Sequence, residues 1–91
     1  MKRKELKKGL AELIDLITVD DARAVKERLE KNRLTQKWLI FRLDKDYGVT
    51  IGKQQLSDIL EGRKSVGIKT KRLIWNCQEI LEEYEKFYGG R

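Results

Sequence analysis

The segment that decides the fold is Thr35–Lys64, TQKWLIFRLDKDYGVTIGKQQLSDILEGRK. Its first part, Trp38–Leu43, is apolar on more than one side, which predicts a deeply buried helix. Thr35 has the side chain of a good N-cap, so we expect this helix to begin directly after it. We expect it to end before Asp44, where a polar stretch closed by a glycine begins.

A connector and a short helix fill the rest of this segment. Val49 and Ile51 are β-branched, so residues 49–51 are the one place where the sequence allows a β-bridge. Because an isolated strand has no partner, we expect a loop there. The short helix is predicted from about Lys53 to Leu60, with three apolar positions facing inward. Gly62 fits the left-handed position just past its end.

Helical periodicity continues on both sides of this segment. A first helix is predicted from about Lys4 to Ile17, and a second after the capping-box pattern Thr18–Asp21, to about Asn32. A long last helix is predicted from about Lys69 to Phe87. Proline, which breaks helices, is absent. The sequence therefore predicts a single all-α domain over residues 1–91, with five helices, a motif core at about 22–66 and a C-terminal helix at 67–88.

Composition narrows the function classes. Histidine is absent and Cys77 is the single cysteine, which excludes histidine-based metal sites, Ser–His and Cys–His nucleophiles and a disulfide framework. We expect no enzyme activity, no cofactor and no bound metal. Because no apolar run is long enough to span a bilayer, we also expect no membrane contact and a cytoplasmic location.

Basic charge is concentrated in parts of the chain. The net charge is +6, with 21 Lys and Arg against 15 Asp and Glu. Residues 53–72 carry six basic and two acidic side chains, whereas residues 79–86 carry four Glu and one Lys. A basic domain of this size favours a polyanionic partner, although charged helix faces also serve solubility alone.

The order of the elements resembles the Cro/phage-repressor (Xre) class of helix-turn-helix proteins found in phages and mobile elements. The resemblance is carried by Leu34-Thr35-Gln36 at one helix start and by Leu56-Ser57-x-Ile59-Leu60-x-Gly62-Arg63-Lys64 at the end of the next. It covers residues from about 22 to 82. The segment from Asp44 to Gly52 is longer than the usual turn, which indicates either an expanded turn or a lengthened first motif helix. The resemblance therefore fixes the first residue of the recognition helix only to within about one helical turn.

The resemblance implies two sets of DNA-contacting residues. Outward side chains of the short helix would reach base edges in the major groove. These are Lys53, Gln54, Gln55, Ser57 and Asp58. Other polar side chains would contact phosphates. These are Thr35, Gln36, Lys37, Arg63, Lys64 and Lys69. The alternative for both sets is a solvated polar surface.

The last helix has more apolar positions than a small core should need, which predicts a weak or DNA-induced homodimer through residues 74–88. The expected contacts are Trp75, Leu81, Tyr84 and Tyr88. In the alternative, the first helix covers the last helix within one monomer. Trp38 and Phe41 are expected to be extra core; otherwise they form a partner-binding patch.

The function implied by the resemblance is a sequence-specific double-stranded DNA-binding transcriptional regulator of the phage repressor/Cro type, acting by operator occupancy. Two alternatives remain. An antirepressor or modulator would bind a repressor protein and lack salt-dependent DNA affinity. An excisionase-like architectural protein would bend DNA at several sites in phase.

Overall fold

A computed structural model of the chain describes residues 13–64 and 66–89, and this part contains five α-helices and no strand. Helical residues 13–15 (α1) precede α2 (Val19–Lys31), α3 (Gln36–Tyr47), α4 (Lys53–Leu60) and α5 (Ile68–Tyr84). A π-helical turn, Glu85–Gly89, continues α5. The predicted all-α fold is confirmed, and the predicted helix start at Lys4 lies outside the described residues.

Two threonines begin helices in the way that the sequence predicts. The backbone N–H of Thr18 donates to the Asp21 carboxylate at 2.8 Å, which is one half of a capping box at the start of α2. The Thr35 hydroxyl accepts from the backbone N–H of Trp38 at 3.0 Å at the start of α3. Each bond satisfies a backbone donor that the helix itself cannot pair.

The prediction that α3 ends before Asp44 is wrong, because the polar stretch forms its last turn. Arg42 pairs with Asp46 at 2.7 Å across one helical turn, and the Tyr47 hydroxyl donates to Glu79 of α5 at 2.7 Å. Gly48 then ends the helix with φ at +68°. The connection before α4 is therefore only residues 48–52, so the additional residues lie in α3 rather than in the turn.

Four helices enclose one apolar core. Its buried residues come from α2 (Ala22, Val25, Leu29), α3 (Leu39, Leu43), α4 (Leu56, Leu60) and α5 (Leu73, Ile74, Cys77, Ile80, Leu81). Burial raises the pKa of Cys77 to about 12, so the thiol stays protonated. Within the described ranges, no helix combines the length and the apolar character needed to cross a membrane.

The described end of α1 packs against the domain. Ile14 and Ile17 are buried, and Lys71 of α5 donates to the carbonyl of Asp15 at 2.8 Å. Leu13, by contrast, is 51% exposed. For these residues the structure favours the alternative in which the first helix covers the last helix within one chain.

The C-terminal turn is held to α2 by an ion pair that the sequence does not predict. Glu85 accepts from Nη2 of Arg28 at 2.7 Å, from Nε of Arg28 at 3.1 Å and from the Asn32 side chain at 2.9 Å. These donors hold the pKa of Glu85 below its usual range, led by the hydrogen bond from Arg28. The expected regular helix to Phe87 is instead π-helical from Glu85 onward.

Candidate nucleic-acid interface

A groove lies where the first turns of α3 and α4 meet. The residues that line it are Thr35, Gln36, Lys37, Lys53, Gln54 and Ser57. The first three belong to the predicted phosphate set and the last three to the predicted base set. Although residues 38–52 separate the two groups in the sequence, the packing of buried Leu39 and Leu56 in the same core brings them together.

The groove favours negative charge. Neither α3 nor α4 has an acidic residue in its first turn, whereas Lys37 and Lys53 are both exposed there. The N-cap of α4 is Gly52, which has no side-chain acceptor for the free N–H groups of that turn. Two helix N-termini with lysines beside them can bind phosphate oxygens through backbone N–H groups and charge together.

Gln55 is exposed but does not line the groove. Its side-chain oxygen accepts from the backbone N–H of Gly52 at 3.1 Å. This bond closes the first turn of α4 and leaves the amide nitrogen and one lone pair of the oxygen for another partner. The spacing of Gly52 and Gln55, three residues apart at a helix start, is the sequence signal for this role.

Asp58 lies between two other candidate residues. Its Oδ1 atom accepts from the Gln54 amide at 3.0 Å and from Nη1 of Arg63 at 3.0 Å. Both bonds hold the pKa of Asp58 below its usual range, that of Gln54 most strongly. The Asp58 side chain is 22% exposed, so these partners cover much of it.

The remaining phosphate candidates follow α4 and lie outside the groove lining. Arg63 and Lys64 come directly after Gly62, whose φ of +77° confirms the predicted left-handed position. Both are exposed, as is Lys69 in the first turn of α5.

The predicted dimer contacts fall in different environments. Leu81 is completely buried in the core of the single chain, because the apolar stripe of α5 faces α2 and α3, so it is removed from any dimer surface. Tyr84 is half-buried against Trp38, with ring centroids 5.5 Å apart. Tyr88 is 64% exposed, and its ring centroid lies 4.9 Å from that of Tyr84. Trp75 is half-buried, and within the described part of the chain its indole nitrogen has no hydrogen-bond partner.

Trp38 and Phe41 also lie in different environments. Trp38 packs on the core, covered by Tyr84 and by the guanidinium of Arg42 at 5.4 Å, which agrees with its interpretation as extra core. Phe41 is 58% exposed, so for this residue that interpretation is wrong.

No protein-family model, curated protein or solved structure matches the chain.

Proposed function

We propose that this protein binds double-stranded DNA through the groove between α3 and α4 and acts as a sequence-specific transcriptional regulator by occupying an operator. The observation that carries the proposal is the convergence of Gln36, Lys37, Lys53 and Gln54 on one groove. An α-helix with its side chains is about 10–12 Å across, so α4 suits the width of the major groove. The start of α3 then contacts phosphates beside it.

The distribution of charge supports this orientation. Lys37, Lys53, Arg63 and Lys64 are all exposed near α4 and the loop after it. By contrast, Glu79, Glu82, Glu83 and Lys86 line a separate depression on the C-terminal half of α5 and the turn that follows it. Like charges repel, so we expect this acidic region to face away from the duplex.

A single α4 helix reads only a few base pairs, which is too little to select one operator among about 10⁶ competing sites. We therefore propose that the protein binds as a weak or DNA-induced homodimer, with two α4 helices about 34 Å apart in successive major grooves. The exposed rings of Phe87 and Tyr88, whose centroids lie 6.3 Å apart, offer a surface for that assembly.

The exposed side chains of Phe41, Phe87 and Tyr88 favour one other function. Large apolar side chains on a surface are typical of protein–protein contacts. An antirepressor or modulator would use such a surface to bind a repressor and would leave the α3–α4 groove unused. The two functions differ in whether DNA affinity depends on salt.

Selection of bound sequences from random duplexes, followed by titration of variants, tests the proposal. Gln54→Ala is expected to relax the preference at one base position by about 1–3 kcal/mol. Lys64→Ala is expected to weaken binding to all sequences and lower the salt slope by about one unit. Lys45→Ala is the matched control, because Lys45 is exposed near the opposite end of α3.

Two results would contradict this placement of the interface. The first is selection that enriches no sequence. The second is equal behaviour of Gln54→Ala, Lys64→Ala and Lys45→Ala on selected and scrambled duplexes.

A further inference from the structure

We propose that Asp58 is a positioning residue that fixes the side-chain amide of Gln54 for adenine, and that it does not itself contact a base. The inference rests on the proposed DNA-binding function and specifies which base α4 selects. It replaces the expectation, implied by the resemblance, that Asp58 itself reaches a base edge.

The hydrogen bond between the two side chains decides which way the amide of Gln54 points. An ionised carboxylate only accepts hydrogen bonds, so the amide atom beside Asp58 Oδ1 must be the nitrogen, which lies 3.0 Å away. The Gln54 oxygen therefore occupies the other position. A free glutamine on a helix surface can turn its amide over, but this one has a fixed donor and a fixed acceptor.

The amide edge that remains available matches adenine. One N–H of the Gln54 amide is used by Asp58, which leaves the second N–H and the side-chain oxygen for a base. Adenine offers an N6 donor and an N7 acceptor side by side in the major groove, so one donor and one acceptor meet their complements. Guanine offers two acceptors there, and cytosine offers a single donor. Gln54 is exposed and lines the groove, so this edge is accessible to a base.

Asp58 is suited to a positioning role because it is itself held. Arg63 Nη1 donates to the same Oδ1 atom at 3.0 Å, from the loop that follows α4. The pKa of Asp58 lies below its usual range through the bonds from Gln54 and Arg63, so the carboxylate remains an acceptor at neutral pH.

Asp58→Asn is the direct test, since an asparagine amide can donate as well as accept and so no longer dictates the orientation of Gln54. Asp44→Asn is the matched control, because it removes the same charge from an exposed site two turns from the α3 N-terminus. Affinity is measured for four duplexes that carry each base pair at the position where Gln54→Ala relaxes the preference. Thermal unfolding of each variant monitors folding, and Asp58→Ala serves as a second variant.

We expect wild-type protein and Asp44→Asn to prefer adenine by about tenfold or more, as bidentate readout gives. Asp58→Asn and Asp58→Ala should lower this preference to about threefold or less, while affinity for scrambled DNA rises because a negative charge has left the interface. Adding Gln54→Ala to Asp58→Asn should cause no further loss of preference.

An unchanged adenine preference in both Asp58 variants would overturn the inference while leaving the DNA-binding function intact. A wild-type preference for cytosine that disappears in Asp58→Asn would also overturn it, since Asp58 would then contact the base itself. Wild-type protein that shows no preference among duplexes would overturn the proposed function together with the inference.

Discussion

Replacement of two left-handed glycines by alanine should destabilise the domain to different extents. Gly48 and Gly62 have φ values of +68° and +77°, a region that costs an alanine about 1–2 kcal/mol. Alanine also restricts the unfolded chain, which returns about 0.4–1 kcal/mol. At Gly48 the structure shows no atom of the described residues within 4 Å of an added Cβ, so Gly48→Ala should cost about 1 kcal/mol in total.

Gly62→Ala should cost more because the added methyl group is crowded. Its Cβ would lie 3.2 Å from Cγ1 of Val19 and 3.0 Å from Nε of Arg23, at the start of α2. The Arg23 side chain can move away, but the short β-branched side chain of Val19 has little freedom to do so. Overpacking by one methyl adds about 1 kcal/mol, which gives about 2 kcal/mol in total.

Urea and thermal unfolding, both monitored by circular dichroism, measure the unfolding free energy and the Tm of the two variants against wild type. The extra 1 kcal/mol at Gly62 corresponds to about 4–8 °C in Tm for a domain of this size. Equal destabilisation by Gly48→Ala and Gly62→Ala would refute the close packing of the α4 end against α2. A negligible effect of both would refute the left-handed turns themselves.

Three further predictions concern stability and reactivity. The pKa of Glu85 is lowered in the folded state, so its ion pair stabilises the fold above about pH 4.3, and this contribution is lost as pH falls through the folded pKa. The difference in unfolding free energy between wild type and Glu85→Gln should therefore be present at pH 7 and vanish in acid. A pH-independent difference would contradict the pairing with Arg28. Cys77, buried with a pKa of about 12, should react with a disulfide reagent only as fast as the domain opens, and rapid reaction in native buffer would contradict its burial. Arg33 has φ of +60°, so Arg33→Gly should raise the unfolding free energy by about 0.5 kcal/mol in urea titrations, whereas Arg33→Ala should not.

Local sequence signals predicted helix starts and stops well. Thr18, Thr35 and Gly62 act as expected because the signals are local. The Asp21 carboxylate accepts from the Thr18 N–H, the Thr35 hydroxyl accepts from the Trp38 N–H, and Gly62 adopts a left-handed conformation. The end of α3 was not predictable in this way. Its polar last turn is stabilised by contacts of Arg42 and Tyr47, and the second of these reaches a residue 32 positions away.

The candidate site was predictable in its composition but not in its internal hydrogen bonds. The predicted starts of α3 and α4 agree with the structure, and their packing brings Gln36 and Gln54 into one groove. However, the roles of Gln55 in closing the first turn of α4 and of Asp58 in holding its neighbours depend on side-chain geometry. Outward polar residues on a short helix have the same sequence pattern whether they bind a partner or each other.

The salt dependence of affinity for a selected duplex tests the central claim most directly. Lys37, Arg63, Lys64 and Lys69 are the charged residues among the proposed phosphate contacts, and all four are exposed. Four neutralised phosphates predict a slope of log K against log salt of about −3.6 for each bound chain. The account predicts a slope near this value, together with weaker binding to a scrambled duplex at every salt concentration. A slope near zero, or equal affinity for both duplexes, would contradict it.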